Sequence, residues 1–313
     1  MAEKIATREA YGKALAEFGA VYENLVVLDA DLAAATKTGT FKKAFPERFF
    51  DCGIAENNMI GAATGMSLMG KIPFASTFAM FAAGRSYEQV RNSIGYPHNN
   101  VKIGATHAGI TVGEDGATHQ CCEDIALMRT IPGMVIINPA DAVEARLAVK
   151  AAIEYVGPVY LRFGRMAVET LFDDSYEFQI GKGVKMADGT DVSIIATGLE
   201  VEQALAAREL LAAEGISASV VNIHTIKPLD EEIILAEAEK CGCIVTCEEH
   251  SIIGGLGAAV CECLAEKKPT PVLRVGINDE FGRSGPAKEL LSYYHLDAAS
   301  IAEKAKAAIA LKK

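Results

Sequence analysis

The stretch NVKIGATHAGITVGEDGATHQ, residues 100–120, joins an apolar run typical of a buried β-strand to a glycine-rich loop. The loop part, residues 106–120, contains two of the six histidines of the chain, two adjacent acidic residues and three glycines. The glycines disfavour a continuous helix, and a purely structural loop does not require both imidazoles. In α/β proteins, ligands bind in the loops that follow the carboxyl ends of parallel strands. The stretch therefore predicts a functional loop at the end of a buried strand.

On both sides of this stretch, strand-like apolar runs alternate with helical patterns. The runs are almost continuously apolar, which is typical of a sheet covered on both faces. Such alternation predicts a mostly parallel, doubly wound sheet. In the first half of the chain we predict strands at 24–30, 71–76, 100–106, 133–139 and 158–163, and helices at 7–18, 56–69, 78–94, 122–130 and 140–154.

The alternation lapses in the polar, acidic segment 166–188, which we interpret as a linker. It then resumes, and further strands are predicted at 192–198, 216–223, 241–249 and 271–277. A chain of 313 residues that is 50% hydrophobic is long enough to bury two cores. We therefore predict an α/β fold with two doubly wound domains, residues 1–165 and the smaller 189–313.

The charge and hydropathy of the chain exclude several classes of partner. A net charge of −11 argues against nucleic acid or an anionic membrane as the main partner. A phosphorylated substrate would need locally concentrated arginines. No apolar run reaches the roughly 18 residues of a membrane span, and the N-terminal sequence lacks the apolar core of a signal peptide. We therefore expect a cytoplasmic protein.

The eight cysteines are expected to be free thiols in that compartment. Several of them cluster near a histidine in the C-terminal half, which suggests a metal site. However, the chain has no CxxC pair, and the alternating pattern of CGCIVTC (241–247) favours buried strand positions. We predict that this chain holds no metal through the cluster, whose members are Cys241, Cys243, Cys247, His250, Cys261 and Cys263.

The loop offers two histidines as candidate functional residues. His107 and His119 are twelve positions apart across a segment that can fold back and bring them together. Each imidazole can donate or accept a proton near neutral pH, which suits hydroxyl binding and proton transfer on a polyol. Asp115 lies between them. The alternative is that one or both histidines only satisfy backbone groups in a buried loop.

Other candidate residues are ambiguous on spacing alone. Glu56 begins a predicted helix, where an acidic residue is favoured by the helix dipole without any function. Phe78 and Phe81 share one predicted helical face, where a core position is commoner than a cofactor contact. The arginines that could bind a phosphate are Arg8, Arg85, Arg91, Arg162 and Arg165.

In their order and spacing, these segments resemble a known family. The first half resembles the pyrimidine-binding domain of transketolase, and the second half resembles the transketolase C-terminal domain. The resemblance covers essentially the whole chain, and the GEDGATHQ loop is its most specific part. The segments are IATREA (5–10), LDADL (28–32), FDCGIAENNM (50–59), FASTFAMF (74–81), THAGITVGEDGATHQ (106–120), GPVYLRFGR (157–165), EEHSIIGGLG (248–257) and FGRSGPAKELLSYYHLD (281–297).

The resemblance implies a thiamine-diphosphate enzyme. Glu56 matches the family glutamate that hydrogen-bonds the aminopyrimidine of the cofactor, where a sheltered carboxyl group favours the imino tautomer. Phe78 and Phe81 match the aromatic pair of that site, with Phe81 the direct neighbour of the aminopyrimidine. His107 and His119, together with Glu56, would be the catalytic residues.

For the substrate, the resemblance implies a sugar phosphate. His107, Asp115 and His119 match the ketose-binding residues, so the two imidazoles would hold a polyol from one loop. Arg8 and Arg162 match the two phosphate-binding arginines. The reaction would be transfer of a two-carbon ketol unit between ketose and aldose phosphates.

Three features depart from the family pattern. The chain has Gly84 where the family usually has a tyrosine. The serine that joins the arginines at the phosphate is not clear, and Thr36 or Thr38 are the alternatives. The segment GRSYEQVR (84–91) also resembles deoxyxylulose-phosphate synthase, although His107 and GEDGATH favour transketolase.

A further departure concerns the metal. The family anchors the diphosphate through Mg²⁺ with a GDG motif and a downstream asparagine in a separate domain, and this chain contains no GDG. We therefore expect the C-terminal subunit of a split transketolase. Its N-terminal companion subunit would carry the GDG…Asn site, and two copies of each would form an α2β2 heterotetramer. The alternatives are the beta subunit of a 2-oxo acid dehydrogenase and a non-catalytic assembly subunit.

Overall fold

Two mostly parallel β-sheets organise the chain in the computed structural model, which describes residues 4–312. The ends of the two predicted domains, residues 1–3 and 313, lie outside this range. The strands are β1 (Lys4–Ala6), β2 (Leu25–Asp29), β3 (Phe49–Asp51), β4 (Ile72–Phe78), β5 (Lys102–Thr106), β6 (Val135–Ile137), β7 (Val159–Arg162), β8 (Ala167–Glu169), β9 (Val184–Ala187), β10 (Val192–Ala196), β11 (Ala218–Asn222), β12 (Thr225–Lys227), β13 (Ile244–Ser251) and β14 (Val272–Ile277).

Helices connect these strands, and several begin at a sequence-encoded cap. The side chains of Asp141, Asp230 and Asp297 each accept a hydrogen bond from a backbone N–H in the first turn that follows, which satisfies a donor that the helix itself leaves unpaired. The helices are α1 (Thr7–Gly19), α2 (Ala33–Thr36), α3 (Gly39–Ala44), α4 (Glu56–Leu68), α5 (Tyr87–Gln89), α6 (Asp124–Arg129), α7 (Ala142–Glu154), α8 (Glu200–Ala213), α9 (Glu231–Cys241), α10 (Leu256–Lys267), α11 (Ala287–Tyr293) and α12 (Ala298–Ile309).

The first sheet has the strand order β12-β6-β7-β5-β4-β2-β3, and all its strands run parallel except β12. Alternate residues of β2 belong to different cores. Val26 and Leu28 pack with α4, whereas Leu25 and Val27 pack with α1 and α7. Both faces of this sheet are therefore covered, which explains why most residues of its inner strands are apolar.

The second sheet has the order β14-β13-β10-β11-β9, with β9 antiparallel at one edge. It also separates two cores, because Ile194 packs toward α8 and α12 while Ile195 packs toward α9 and α10. The prediction of an α/β fold with mostly parallel sheets is confirmed. One strand crosses between the halves, since β12 follows β11 in the chain but joins the first sheet beside β6.

The segment that we interpreted as a linker has regular structure at both of its ends. Strand β8 pairs antiparallel with β1, and strand β9 pairs antiparallel with β11. These strands lie at sheet edges and are only partly buried, so they lack the continuous apolar runs that reveal the inner strands.

The predicted helix 78–94 differs most from the structure. Strand β4 continues through Phe78, and two π-helical turns, Met80–Arg85 and Val90–Gly95, flank the short α5. Widened turns of this kind are rare and occur often at functional sites. Phe78 and Phe81 therefore lie on either side of a strand end rather than on one helical face.

Two further observations concern membranes and metals. Within residues 4–312, no helix is long and apolar enough to cross a membrane. All eight cysteines are free thiols. Across the same residues, histidine, cysteine and acidic side chains nowhere converge in threes as metal ligands would. Cys241 ends α9 and is buried, as are Cys243 and Cys247.

Candidate active site

Most of the candidate residues lie at or just beyond the carboxyl ends of the adjacent strands β7, β5 and β4, and Glu56 follows the edge strand β3. Register places Phe78, the last residue of β4, beside Thr106, the last residue of β5. Arg162 pairs with Ala105 at the end of β7. The loops after these strands therefore meet at one edge of the sheet. This is the edge at which parallel α/β sheets bind their ligands, beyond the carboxyl ends of the strands.

Glu56 is a buried acid at the start of α4, with 2% of its surface exposed. Its Oε2 accepts a hydrogen bond from Nη1 of Arg85 at 2.7 Å. The guanidinium of Arg85 also lies 4.5 Å from the centre of the Phe81 ring. A planar cation that carries N–H donors thus occupies the space between the carboxylate of Glu56 and Phe81.

Two aromatic rings and two imidazoles form a cluster beside this pair. The rings of Phe78 and Phe81 are roughly parallel, with centroids 5.8 Å apart. The imidazole of His107 stacks on Phe78 at 3.8 Å, and that of His119 stands edge-on to Phe81 at 5.5 Å. The structure therefore brings together four of the predicted site residues, which come from two separate segments, 74–81 and 106–120.

His107 follows β5 directly and adopts a positive φ of 57°, which is uncommon outside glycine. Its Nε2 lies 2.8 Å from Nη1 of Arg8, and its Nδ1 lies 2.9 Å from Oγ1 of Thr106. Burial, followed by the charges of Arg8 and Arg165, lowers the pKa of His107 to about 3. The imidazole is therefore neutral at physiological pH.

The other two loop residues are more accessible. Asp115 is exposed and ends a short 3₁₀ helix, Ile110–Asp115, that is kinked at Gly113. His119 is half-buried, and its Nδ1 lies 2.9 Å from Oγ1 of Thr118. Both positions can be reached from the open side of the sheet edge, as ligand-binding groups must be.

Arg8 and Arg165 form a positive patch beside His107. Arg8 lies in the first turn of α1, where burial and the charge of Arg165 both lower its pKa. The Nε of Arg8 is buried and finds no hydrogen-bond partner among residues 4–312. Arg165 donates to the carbonyl of Val112 and lies 3.1 Å from Glu114. The side chain of Arg165 is 35% exposed, so a ligand can reach it.

The structure does not bring Arg162 to this patch. Its side chain is 3% exposed and its Nε donates to Oδ2 of the fully buried Asp124 at 2.9 Å. Its Nη2 donates to the backbone carbonyl of Glu249 at 2.9 Å. The prediction that Arg162 binds phosphate is therefore corrected, because a buried and paired guanidinium cannot reach a ligand. Arg165, beyond the strand end, is the arginine that lies near Arg8.

The two threonines that we considered as phosphate ligands also form hydrogen bonds within the chain. Thr36 and Thr38 are fully buried, and both donate to Oδ2 of Asp29, at 2.7 and 2.8 Å. Burial raises the pKa of Asp29 to about 6 in spite of these bonds. The two hydroxyls also lie 3.0 Å from each other, and these buried contacts give both threonines a structural role after β2.

The chemistry of these groups fits an aminopyrimidine. A buried carboxylate beside an aromatic face is the environment in which such a ring can be hydrogen-bonded and stacked at once. The guanidinium of Arg85, which is also planar and carries N–H donors, already makes both contacts. Sequence reasoning named Arg85 only as a phosphate candidate, since its contact with Glu56 spans 29 positions of the chain.

Comparison with known proteins identifies the family of the chain. The family model for the transketolase pyrimidine-binding domain matches residues 3–170, and the model for the transketolase C-terminal domain matches residues 181–301. The chain belongs to the transketolase family. Within that family it corresponds to the C-terminal section, which consists of these two domains.

Individual relatives support the same assignment. A Methanocaldococcus jannaschii protein described as a transketolase C-terminal section is 56% identical over 300 residues, 95% of this chain and 94% of that protein. Human transketolase is 36% identical over 96% of this chain but only 48% of its own length, so the chain spans about half of it. A solved split-gene transketolase, described as an inactive beta4 tetramer, is 52% identical with a TM-score of 0.93, covering 99% of this chain and 100% of that one.

Proposed function

We propose that this chain is the C-terminal subunit of a thiamine-diphosphate-dependent transketolase. With an N-terminal companion subunit it transfers a two-carbon ketol unit between ketose and aldose phosphates. One observation carries the proposal: Glu56 and Phe81 lie at the same sheet edge as His107, His119 and the arginine patch. A cofactor-ring site and a sugar-phosphate site are thus adjacent in one chain.

Bound thiamine diphosphate would supply the nucleophilic carbon that carries the two-carbon unit. Glu56 would hold a proton at the pyrimidine ring nitrogen, in a position that the surrounding protein shelters from water. Phe81 would stack on the ring, and Phe78 would support His107. The side chain of Arg85 is 47% exposed, so it can turn toward solvent and yield its place between Glu56 and Phe81.

The sugar phosphate would lie along the loop 106–120. Arg8 and Arg165 would bind its phosphate, and the unpartnered Nε of Arg8 is a donor that such an anion would satisfy. His107, His119 and Asp115 would contact the hydroxyl groups. Because His107 is neutral, it contributes hydrogen bonds to the substrate rather than a positive charge.

The companion subunit would hold the diphosphate and Mg²⁺ through its GDG motif and asparagine. The absence of GDG from this sequence and the similarity to a C-terminal section support this arrangement. We infer a homodimer of this chain that pairs with two companions in an α2β2 assembly. The eight free thiols and the absence of a membrane-spanning helix in residues 4–312 are consistent with a cytoplasmic enzyme.

Reconstitution tests the proposal directly. The purified chain is mixed with the companion, thiamine diphosphate and Mg²⁺, and ketol transfer from a ketose phosphate to an aldose phosphate is measured. Activity should require both subunits. If the mixture turns over a 2-oxo acid instead, the chain is a dehydrogenase beta subunit. If no transfer occurs, the chain is better explained as a non-catalytic assembly subunit.

A further inference from the structure

Glu249 connects the C-terminal domain to the loop 106–120. We propose that Glu249 is a positioning residue that holds this loop in its substrate-binding shape, so that the C-terminal domain serves ketol transfer by fixing the sugar site. The substrate part of this inference rests on the proposed function. The contact itself does not, because it is made within the chain.

The carboxyl group of Glu249 forms a hydrogen bond with the backbone of the loop. Glu249 lies in β13, is 3% exposed, and its Oε1 accepts the backbone N–H of Thr111 at 2.6 Å across 138 positions of the chain. Gly109 has a φ of 79°, and a Cβ at this position would overlap the carboxyl group of Glu249. The loop can therefore approach the second domain this closely only with glycine at position 109.

This contact lies next to the candidate ligand-binding groups. Gly109 and Thr111 follow His107 by two and four positions. The Gly109 N–H also donates to the carbonyl of Cys121, two residues after His119, at 2.9 Å. An anchor at this point therefore restrains the start and the end of the loop together, and with them the imidazoles that flank Phe78.

The C-terminal domain covers the same loop at two other places. The amide Nε2 of Gln120 donates to the carbonyls of Ile110 at 3.0 Å and Arg283 at 2.9 Å. A Cβ on Gly116 would overlap the hydroxyl of Ser284. These contacts come from the segment 283–284, whereas Glu249 contacts the loop from β13.

Buried charges surround Glu249 and set its ionisation. Burial raises its pKa to about 7, while the nearby guanidinium of Arg162 opposes this shift and Asp124 adds to it. Glu200, also fully buried, is a further acid within electrostatic range. Arg162 thus supports the loop indirectly, since it pairs with Asp124 and binds the backbone of Glu249.

Hydrogen exchange on the full-length chain tests the anchor without any assay of activity. In Glu249→Leu, the amides of residues 109–116 should exchange at least about tenfold faster than in the wild type, because a buried hydrogen bond to the loop backbone is lost. Glu249→Gln keeps an acceptor oxygen and should restore most of the protection. Unchanged exchange in the Leu variant would overturn the proposal.

Glu248 supplies a matched control. It is the neighbouring buried acid of β13, but its carboxylate accepts from Leu256 N at 2.6 Å and Gly257 N at 2.8 Å, at the start of α10. Glu248→Gln should leave exchange in the loop unchanged. If Glu249→Leu does not fold, Gly109→Ala disturbs the same contact from the loop side and should loosen the same amides.

The reconstituted enzyme tests the substrate role. Glu249→Leu should raise the KM for the ketose donor about tenfold while changing kcat less than threefold, and Glu249→Gln should lie between it and the wild type. A loosened loop with an unchanged KM would overturn the positioning role while the proposed function stands. If wild-type enzyme shows no ketol transfer, the proposed function fails and exchange still decides whether Glu249 anchors the loop.

Discussion

Nη1 of Arg8 lies 2.8 Å from Nε2 of His107, and this single hydrogen bond determines the tautomer of the imidazole. Arginine can only donate, so Nε2 must accept and the ring proton must reside on Nδ1, from which it is donated to Oγ1 of Thr106. Together with burial, this fixes His107 as a neutral ring. Sequence reasoning expected both loop histidines to exchange protons near neutral pH, and for His107 the structure indicates a hydrogen-bonding role instead.

The ionisation of His107 predicts how stability changes with pH. Because its pKa is lowered to about 3 in the folded state, the unfolded chain binds a proton that the folded chain does not as pH falls from roughly 6.5. This contribution to stability is complete above that pH and is lost progressively below it. His107→Gln should therefore lose less stability than the wild type between pH 7 and pH 5, measured by denaturant unfolding. The exposed His295→Gln should behave like the wild type.

Glu56→Gln should reduce kcat of the reconstituted enzyme by roughly 10²–10⁴-fold, since the amide keeps the size of the side chain but cannot exchange a proton with the pyrimidine. The melting temperature should change little, because the bond to the half-exposed Arg85 can persist at the amide oxygen. Glu239→Gln, an exposed acid in α9, is the control. Near-normal turnover in Glu56→Gln would remove Glu56 from the mechanism.

Arg165→Ala and Arg8→Ala should each raise the KM for phosphorylated sugars about 10- to 100-fold, as expected for the loss of a charge-assisted hydrogen bond. In Arg165→Ala the KM for hydroxypyruvate should change much less, because that donor has no phosphate. Arg8→Ala also removes the hydrogen bond to His107, so it should weaken both donors, and the phosphorylated one more. Steady-state kinetics with the two donors give the comparison, and equal losses on both donors in Arg165→Ala would assign Arg165 a structural role.

Arg162→Ala should destabilise the fold instead of altering substrate choice. Removing the guanidinium leaves the carboxylate of Asp124 buried without its charge partner, which costs about 3–5 kcal/mol in comparable cases. Denaturant unfolding measures this loss, and the accessible Arg165→Ala should stay within about 0.5 kcal/mol of the wild type. A stable Arg162→Ala protein with weakened phosphate binding would restore the original prediction for Arg162.

The isolated chain should bind thiamine diphosphate weakly and show no ketol transfer, because the diphosphate and Mg²⁺ sites belong to the proposed companion. Adding the companion should restore activity, and the cofactor should strengthen association of the subunits by linkage. Calorimetry of the isolated chain is the direct test. Tight, Mg²⁺-dependent binding of the cofactor by this chain alone would contradict the two-subunit arrangement.

Local pattern was sufficient to predict the fold class and to single out the loop 106–120, whereas the roles of individual site residues came from the family resemblance. Strands β2, β4 and β5 were predictable because a sheet covered on both faces requires nearly every strand residue to be apolar. The loop 106–120 was predictable as functional because it follows such a strand and combines two histidines with glycines. We did not predict the edge strands β8 and β9. They are only partly buried, so their residues need not be apolar throughout.

Only the tertiary structure decided which charged side chains are buried and which remain accessible. Arg162 and Arg165 are three positions apart, yet Arg162 is buried in an ion pair with Asp124 whereas Arg165 lies beyond the end of the strand. Burial of that kind depends on α6 and β13, which no local pattern around Arg162 reveals. The contacts of Arg85 with Glu56 and of Glu249 with Thr111 likewise join distant segments. Sequence periodicity encodes which residues are buried, whereas the pairing of buried charges follows from how separate elements pack.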